Sequence, residues 1–358
     1  MSIYFVLVIY VILCKYIYRD NSKKFTTAAF VGLFIVMAFR NARMVGNDSS
    51  SSYYLMFINR LDFTYDKFTN IGLQLLFDGI KLFSDNYQWV IVISAVVVCY
   101  SYYKLVSKYS ENTFISIMWL MGMLFYTLFF SALKQAWAMA FLCFAFDAAT
   151  ERKLIKYIIF LFIAVMFHAP ALIFLPVYWI YGLKLKKSFP LMLEAIFLIV
   201  FIFRTRILSL MTSYYGGDIE TSGDVAFLGT KVVLMVLIIA YSLLSTDINR
   251  GGQDKMFNML LYFMGIAAVL QTFCFYNNIF ERLADYYYVY SVLFMPMLIS
   301  RKIADSDGNE SIFYVTNAAP VLAAIITVFC VARFLSYVTS GADFLSPYYF
   351  FWEGLSTF

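Results

Sequence analysis

A succession of long apolar segments, separated by short polar stretches, constrains this chain more than any other feature of its sequence. A helix that crosses a bilayer needs about 20 apolar residues, or fewer when flanking side chains reach the interface. By this criterion the sequence predicts about twelve membrane spans. They lie near residues 2–18, 25–39, 86–106, 112–130, 132–150, 154–168, 169–183, 188–204, 225–245, 256–276, 283–300 and 313–335.

The composition agrees with a chain that is buried in lipid over most of its length. Only 14% of its 358 residues are charged and 63% are hydrophobic, whereas a soluble domain carries about 25% charged residues. We therefore predict an all-α integral membrane protein, a polytopic bundle in which residues 1–358 form a single transmembrane domain.

The longest polar segment follows the second predicted span and covers residues 40–85. Within it, residues 69–83 are too short and polar to span, but apolar side chains recur there at helical spacing, which predicts an interfacial helix. The later segments 154–168 and 169–183 are short and separated only by His168 and Pro170. For these two segments a re-entrant pair is the alternative to two spans.

The charges of the short loops predict the orientation of the bundle. Lysine and arginine occupy every second loop, and basic residues in short loops favour the cytoplasmic side. If the N-terminus faces out, all of these basic loops face in. The 40–85 segment, the turn at His168 and the tail after residue 335 then face outward.

Several cations lie on the predicted outer side, against this topological bias, and therefore call for a reason beyond anchoring. Arginine presents a planar fork of donors that matches phosphate oxygens, so together these residues predict a site for a phosphate-bearing substrate. Taken singly, each could instead be a side chain that extends to the headgroup level. The candidate binding residues are Arg40, Arg43, Lys134, Gln135, Arg204, Arg206, Glu281 and Arg282. For Glu281 and Arg282, a local ion pair is the alternative.

Two residues are candidates for a general base. His168 is the only histidine, and an imidazole titrates near neutral pH; its alternative role is to cap the turn before Pro170. Asp48 is the other candidate, and its alternative role is that of a turn residue after Gly46 and Asn47.

Tyrosines on the same predicted side have two interpretations. Tyr53, Tyr54 and Tyr286 belong either to the aromatic belt of the membrane interface or to a surface that stacks on sugar rings.

Motifs that would indicate other chemistry are missing from the sequence. The chain contains no phosphate-binding glycine loop, no metal-ligand spacing and no serine nucleophile elbow. The net charge of +5 arises in the loops between apolar segments and does not predict nucleic-acid binding. We expect neither a metal nor a cofactor, so the energy for a reaction on the outer face would have to arrive with the substrate.

The order of the polar motifs resembles the EpsG/Wzy-type polysaccharide polymerases of bacterial envelopes. Arg40 is followed by the sequence VGND at 45–48 and by an aromatic stretch at 54–57, and Lys134-Gln135 precedes an apolar helix where Arg-Gln is commoner in the family. Two further motifs complete the series, His168-Ala169 before Leu175-Pro176, and Arg282 before the tyrosine-rich helix that contains Tyr286.

The resemblance implies a glycosyltransferase of the outer leaflet of the bacterial cytoplasmic membrane, with its active face periplasmic or extracellular. It would polymerise oligosaccharide repeat units carried on undecaprenyl diphosphate into a capsule, O-antigen or exopolysaccharide. Its partners would be these lipid-linked oligosaccharides, membrane lipid, and a chain-length regulator and a flippase of the same pathway. The resemblance also implies catalytic roles for Arg40 and Arg282 at the diphosphate, with His168 or Asp48 as the base.

Two other functions remain open at this stage. An O-antigen-ligase-like transferase uses the same donor with a different acceptor, and the loops do not separate it from a polymerase. A flippase or another transporter of lipid-linked oligosaccharides should carry charges near the bilayer midplane. The charges here gather at the ends of the spans, which favours an enzyme.

Overall fold

The computed structural model describes residues 2–59, 71–184, 254–271, 281–300 and 318–353, with isolated helical positions between 192 and 209. Regular structure in these ranges is helical, apart from one antiparallel bridge between Arg40 and Phe350. The helices are α1 (Ser2–Ile17), α2 (Ser22–Ala38), α3 (Asn47–Ser50), α4 (Ser52–Asn59), α5 (Ile71–Lys81), α6 (Gln88–Tyr109), α7 (Thr113–Gly122), α8 (Phe125–Ser131), α9 (Leu133–Thr150), α10 (Leu154–Phe167), α11 (Val177–Ile180), α12 (Lys255–Gln271), α13 (Glu281–Tyr288), α14 (Ser291–Ser300) and α15 (Ala318–Thr339).

The all-α class is confirmed for the part of the chain that the structure describes. Two helices in it are long and apolar enough to cross a membrane, Gln88–Tyr109 and Pro320–Thr339, and the bent pair α7–α8 adds a third if it counts as one span. The other apolar helices of the described ranges are shorter. The count of twelve spans and the outward position of the 40–85 loop therefore stay predictions.

Two compact units make up the chain, Met1–Leu172 with Pro320–Phe358, and Ile173–Ala319. We describe each by itself. The predicted spans at 188–204 and 225–245 belong to the second unit and lie almost wholly outside the described residues.

In the first unit, the helices run alternately between two ends. At one end, Ser22 and Thr113 share a hydrogen bond of 3.1 Å between their hydroxyls, and the Tyr109 hydroxyl donates to Asp147 at 2.6 Å. We call this the turn end; it contains the connections at residues 18–21, 110–112 and 151–153.

The opposite end of the first unit carries the polar segments. Here the Gln88 side chain bonds the carbonyl of Ala38 at 2.9 Å, and the Trp137 indole donates to Ser94 at 2.8 Å. We call this the loop end; it contains residues 39–51, the 131–134 break between α8 and α9, the turn at His168 and the tail 340–353.

Asparagine caps fix the start of two helices at the turn end. The side chain of Asn21 accepts a hydrogen bond from the Lys24 amide at 2.9 Å, and Asn112 does the same for Ile115 at 3.3 Å. Each cap satisfies an amide that the first helical turn leaves without a partner. These polar caps explain why the connections stay short between strongly apolar helices.

The span predicted at 112–130 is not one straight helix. It breaks at Met123 and Leu124, and the two halves are bent by 52°. Leu124 has φ +67°, a left-handed conformation that costs a branched residue about 1–2 kcal/mol. The Arg333 guanidinium from α15 donates to the Gly122 carbonyl at 3.3 Å, so a distant side chain supplies a partner where the helix ends.

Other predicted spans also differ from the structure. Residues 169–183 form a 3₁₀ turn, Ala169–Phe174, and the single-turn α11, so the prediction of a continuous helix is wrong there. The segment 283–300 is divided into α13 and α14 around Val289 and Tyr290. Pro170 and Pro176 help to explain the first case, because proline removes an amide donor and restricts the residue before it.

A helix, α5, forms within the predicted segment 69–83, and its position at a membrane interface stays a prediction. Helix α5 buries Gly72, Leu73, Phe77 and Ile80, whereas 59% of Leu75 is exposed. A Cβ at Gly72 would lie 2.8 Å from the Phe167 ring, so α5 packs closely on the end of α10. That close packing selects the buried face.

Candidate functional site

The Arg40 side chain occupies the centre of the loop end. It follows α2 and is only 1% exposed. Its guanidinium donates to the Phe130 carbonyl at 2.8 Å and to the Ser49 hydroxyl at 3.3 Å, and its Cζ lies 4.4 Å from the centroid of the Phe130 ring. Buried Nε and Nη1 have no hydrogen-bond partner, and no carboxylate in the described ranges pairs with the charge.

The surroundings of Arg40 are tyrosines rather than acids. Four tyrosines lie close enough to interact electrostatically with its guanidinium: Tyr4, Tyr87, Tyr126 and Tyr348. Burial lowers the pKa of the Arg40 guanidinium to about 10. The group therefore stays protonated near neutral pH, and the loop end holds a permanent buried cation.

The Gly46-Asn47 turn attaches the loop to the break between α8 and α9. Gly46 has φ +97°, and a Cβ there would lie 2.3 Å from the Phe130 carbonyl oxygen. The Asn47 amide donates to the Ser131 hydroxyl at 3.2 Å, and the Ser49 hydroxyl donates to the Phe130 carbonyl at 2.6 Å. Glycine is needed because the backbone approaches this closely in a left-handed conformation.

Two further cations of the loop end lie over tyrosine rings. The Arg43 guanidinium is 5.0 Å from the centroid of Tyr54, and the Lys134 amine is 5.9 Å from that of Tyr53. Arg43 is exposed and Lys134 is half-buried. The structure thus brings together Arg40 and these four predicted binding residues.

The two candidate bases also lie at the loop end. His168 ends α10, and its neighbour Phe167 stacks on Trp137 of α9 at a centroid distance of 4.6 Å. His168 therefore ends α10 next to a residue that packs against α9. Asp48 is half-buried in α3, next to the residues that anchor the turn. Both residues make further contacts, so neither is free.

Gln88 is a residue of the loop end that the sequence does not single out. Its amide donates to the carbonyls of Ala38 and Arg40, each at 2.9 Å, and its oxygen accepts from the Ala42 amide at 3.2 Å. One side chain therefore holds both the end of α2 and the start of the loop. Its position at the start of a long apolar helix is the only signal in the sequence.

The tail is a second contribution that sequence patterns miss. The Asn41 amide donates to the Tyr349 carbonyl at 2.7 Å, and the Phe351 amide donates to the Phe39 carbonyl at 2.9 Å. The Tyr348 hydroxyl donates to the Val36 carbonyl at 2.9 Å. Residues 348–351 thereby give the loop a second set of anchoring hydrogen bonds, in addition to those from Gln88.

The remaining predicted site residues are outside the first unit. Arg282 is exposed and Glu281 half-buried at the start of α13, while Tyr286 in the same helix is buried. Arg206 is an exposed helical position of the second unit. Arg204 lies outside the described residues. Convergence of these side chains with Arg40 stays a prediction.

The described residues show no arrangement typical of a metal site. No cluster of three or more histidine, cysteine, aspartate or glutamate side chains occurs there that could hold an ion. The described part of the loop end offers cationic, hydroxyl, amide, imidazole and carboxylate groups.

Comparisons with known proteins agree with the resemblance of the motifs. The model of the EpsG family matches residues 23–350, which include most of the loop end, most of the first unit and all of the second. Neither the curated proteins nor the solved structures gave a significant match. The family match indicates a membrane protein with a polysaccharide-polymerase type of function in general. The chain therefore belongs to the EpsG family.

Proposed function

We propose that this protein is a glycosyltransferase that polymerises repeat units carried on undecaprenyl diphosphate at the outer leaflet of the bacterial cytoplasmic membrane. The growing glycan would leave its lipid carrier and join the terminal sugar of an incoming lipid-linked unit. The family supports the general activity, and the chemistry of the loop end supports this donor.

The burial of the Arg40 cation is the observation on which the proposal rests. A buried ion without a counter-charge is costly, yet Arg40 is 1% exposed and two of its nitrogens lack a hydrogen-bond partner. Diphosphate oxygens would supply both the missing acceptors and the missing negative charge. A site that already holds such a cation needs little reorganisation when charge develops on the leaving diphosphate.

The other groups of the loop end have complementary roles in this proposal. Arg43 and Lys134 add positive charge near Arg40, which favours binding of a doubly charged carrier. The acceptor hydroxyl requires a base as it attacks the anomeric carbon. We assign this role first to His168 and second to Asp48. A role for Arg206 and Arg282 at the diphosphate stays a prediction from the sequence.

Reconstitution tests the proposal directly. Purified protein in lipid would be given synthetic polyprenyl-diphosphate-linked repeat units, without metal or nucleotide, and the products would be sized. We expect a ladder of glycans that lengthens with time, and an Arg40→Ala protein that leaves the units single. No chain growth by the folded native protein on its matching repeat unit would contradict the proposal.

A deletion strain separates the polymerase from a ligase. Loss of a polymerase leaves single repeat units on the cell surface, whereas loss of a ligase leaves long glycan that is not attached to its acceptor. Loss of a flippase leaves neither at the surface. We expect the first pattern.

A further inference from the structure

The tail of the first unit carries an aromatic cluster that the proposed reaction leaves unused. Phe350, Phe351 and Trp352 follow one another, and Trp352 is 60% exposed and Phe351 47% exposed. The Phe350 ring stacks on the Trp352 indole, with centroids 4.4 Å apart and an interplanar angle of 8°. Phe351 meets the same indole edge-on at 4.9 Å. We call these three residues the aromatic platform.

The aromatic platform is fixed to the loop that contains Arg40. The backbone of Phe351 bonds that of Phe39 at 2.9 Å, and the two phenyl rings lie 5.9 Å apart. Beneath Phe350, the Tyr348 ring packs edge-on at 5.1 Å. Rings held in this way lose little conformational freedom when a ligand binds.

Polar groups adjoin the rings. The Glu353 carboxylate accepts a hydrogen bond from the Phe350 amide at 2.7 Å, and the Asn41 side chain donates to the Glu353 carbonyl at 3.1 Å. Sugars present apolar C–H faces edged by hydroxyls, so a flat ring beside a carboxylate and an amide offers both kinds of contact. Insertion of the same rings into lipid would draw the exposed Glu353 out of water, which is unfavourable.

We propose that the aromatic platform is a saccharide-binding subsite, which holds sugar units of the glycan next to the loop that carries Arg40. The inference rests on the proposed function, because that function supplies a glycan as substrate. It adds a binding site for sugar rings that is separate from the diphosphate. Retention of sugar units there would keep a growing chain bound between successive additions.

Binding of lipid-free sugar tests the subsite without any catalysis. The probe would be oligosaccharides from partial acid hydrolysis of the strain's own surface polysaccharide, added to the protein in lipid nanodiscs. Ligand-observed saturation-transfer NMR and titration would report contact and affinity. We expect Trp352→Ala to weaken binding about tenfold, the change that corresponds to loss of one good ring contact.

Two variants control this measurement. Trp179 is 57% exposed in the second unit, so Trp179→Ala removes an equally accessible indole and should leave binding unchanged. Trp352→Phe keeps an aromatic ring and should retain most of the affinity. Binding by this variant would show that the tail stays folded when Trp352 is replaced. Equal binding by Trp352→Ala and the native protein would overturn the subsite.

The outcomes distinguish the subsite from the proposed function and from a membrane anchor. Sugar binding that depends on Trp352, in a protein that never extends a glycan, would support the subsite and contradict the polymerase. Chain growth by a protein that does not bind the free sugar would support the polymerase and contradict the subsite. Quenching of Trp352 fluorescence by brominated lipid, measured as the difference from Trp352→Phe, would identify the rings as an anchor and overturn the subsite.

Discussion

The two ends of the first unit place a cationic side chain in opposite surroundings. At the turn end, Lys108 lies 2.8 Å from the Glu151 carboxylate and also contacts Asp147, and its side chain is 45% exposed. At the loop end, Arg40 is buried and no carboxylate of the described ranges pairs with it. An exposed, paired charge contributes little to stability and is easily replaced. A buried charge without a counter-ion is costly, and the proposed diphosphate ligand would offset that cost at Arg40.

The largest expected effect comes from replacing Arg40. Arg40→Ala should lower polymer synthesis by about 100-fold or more, because a preorganised donor to the leaving group is lost. Arg40→Lys should recover only part of the activity, since lysine keeps the charge but not the planar fork. Sizing of surface glycan and the reconstituted assay would measure both variants.

Lys108→Met at the turn end is the matched control for Arg40. It removes a cation that lies outside the loop end, and polymer length should stay close to normal. Full-length polymer from Arg40→Ala, or an equal loss from Lys108→Met, would remove the distinction between the two ends.

The second effect concerns the backbone at the loop end. Gly46→Ala places a Cβ 2.3 Å from the Phe130 carbonyl oxygen, so the turn must leave the α8–α9 break. We expect a loss of about 3–4 kcal/mol in the free energy of unfolding, together with loss of polymer. Thermal unfolding in detergent would measure the first change.

Gly341 provides the comparison for Gly46. It also has a positive φ, +80°, but nothing lies within 4 Å of its Cβ position. Gly341→Ala should therefore show only the left-handed strain of about 1–2 kcal/mol. Similar losses at the two glycines would mean that close approach to Phe130 does not matter.

A smaller effect should follow from replacing Gln88. Gln88→Leu removes three hydrogen bonds to the backbone of residues 38–42, which should lower the free energy of unfolding by about 2–3 kcal/mol. Gln74 is exposed on α5, so Gln74→Leu should change it very little. Equal unfolding midpoints for the two variants would show that Gln88 does not hold the loop.

The smallest effect belongs to the turn end. Hydrogen bonds from Lys108 and Lys153 lower the pKa of Glu151 to about 2, from an ordinary value of 4.5. The stabilisation is therefore present above about pH 4.5 and is lost as the pH falls toward 2. Glu151→Gln should flatten this part of the acid unfolding curve without shortening the polymer. An unchanged acid curve would contradict the pairing.

Hydropathy predicted the first unit well because its helices are set by apolar length. Helices α1, α2, α6, α9 and α10 lie within a few residues of their predicted ends, since polar connections leave little choice of boundary. The motifs also indicated the loop end, since Arg40, Lys134 and His168 do lie at one end of these helices. Family membership confirms that the order of these motifs carries information.

Features that depend on distant partners were not predictable from the sequence. The bend at Leu124 adjoins Gly122 but has no proline to predict it, and the partner of the Gly122 carbonyl comes from the distant Arg333. Burial of Arg40 depends on the Phe130 carbonyl, 90 positions away. The pairing of residues 39–41 with the tail uses backbone atoms, which leave no side-chain pattern.

That pairing has a consequence for how the protein matures. Asn41 is synthesised before all the helices that lie between it and its backbone partner Tyr349. Until translation reaches the tail, the segment around Arg40 is held by Gln88 but lacks the hydrogen bonds to residues 348–351. The loop end is therefore complete only after the helices between these two segments have been made, and a chain that stalls before Tyr349 would lack this backbone pairing.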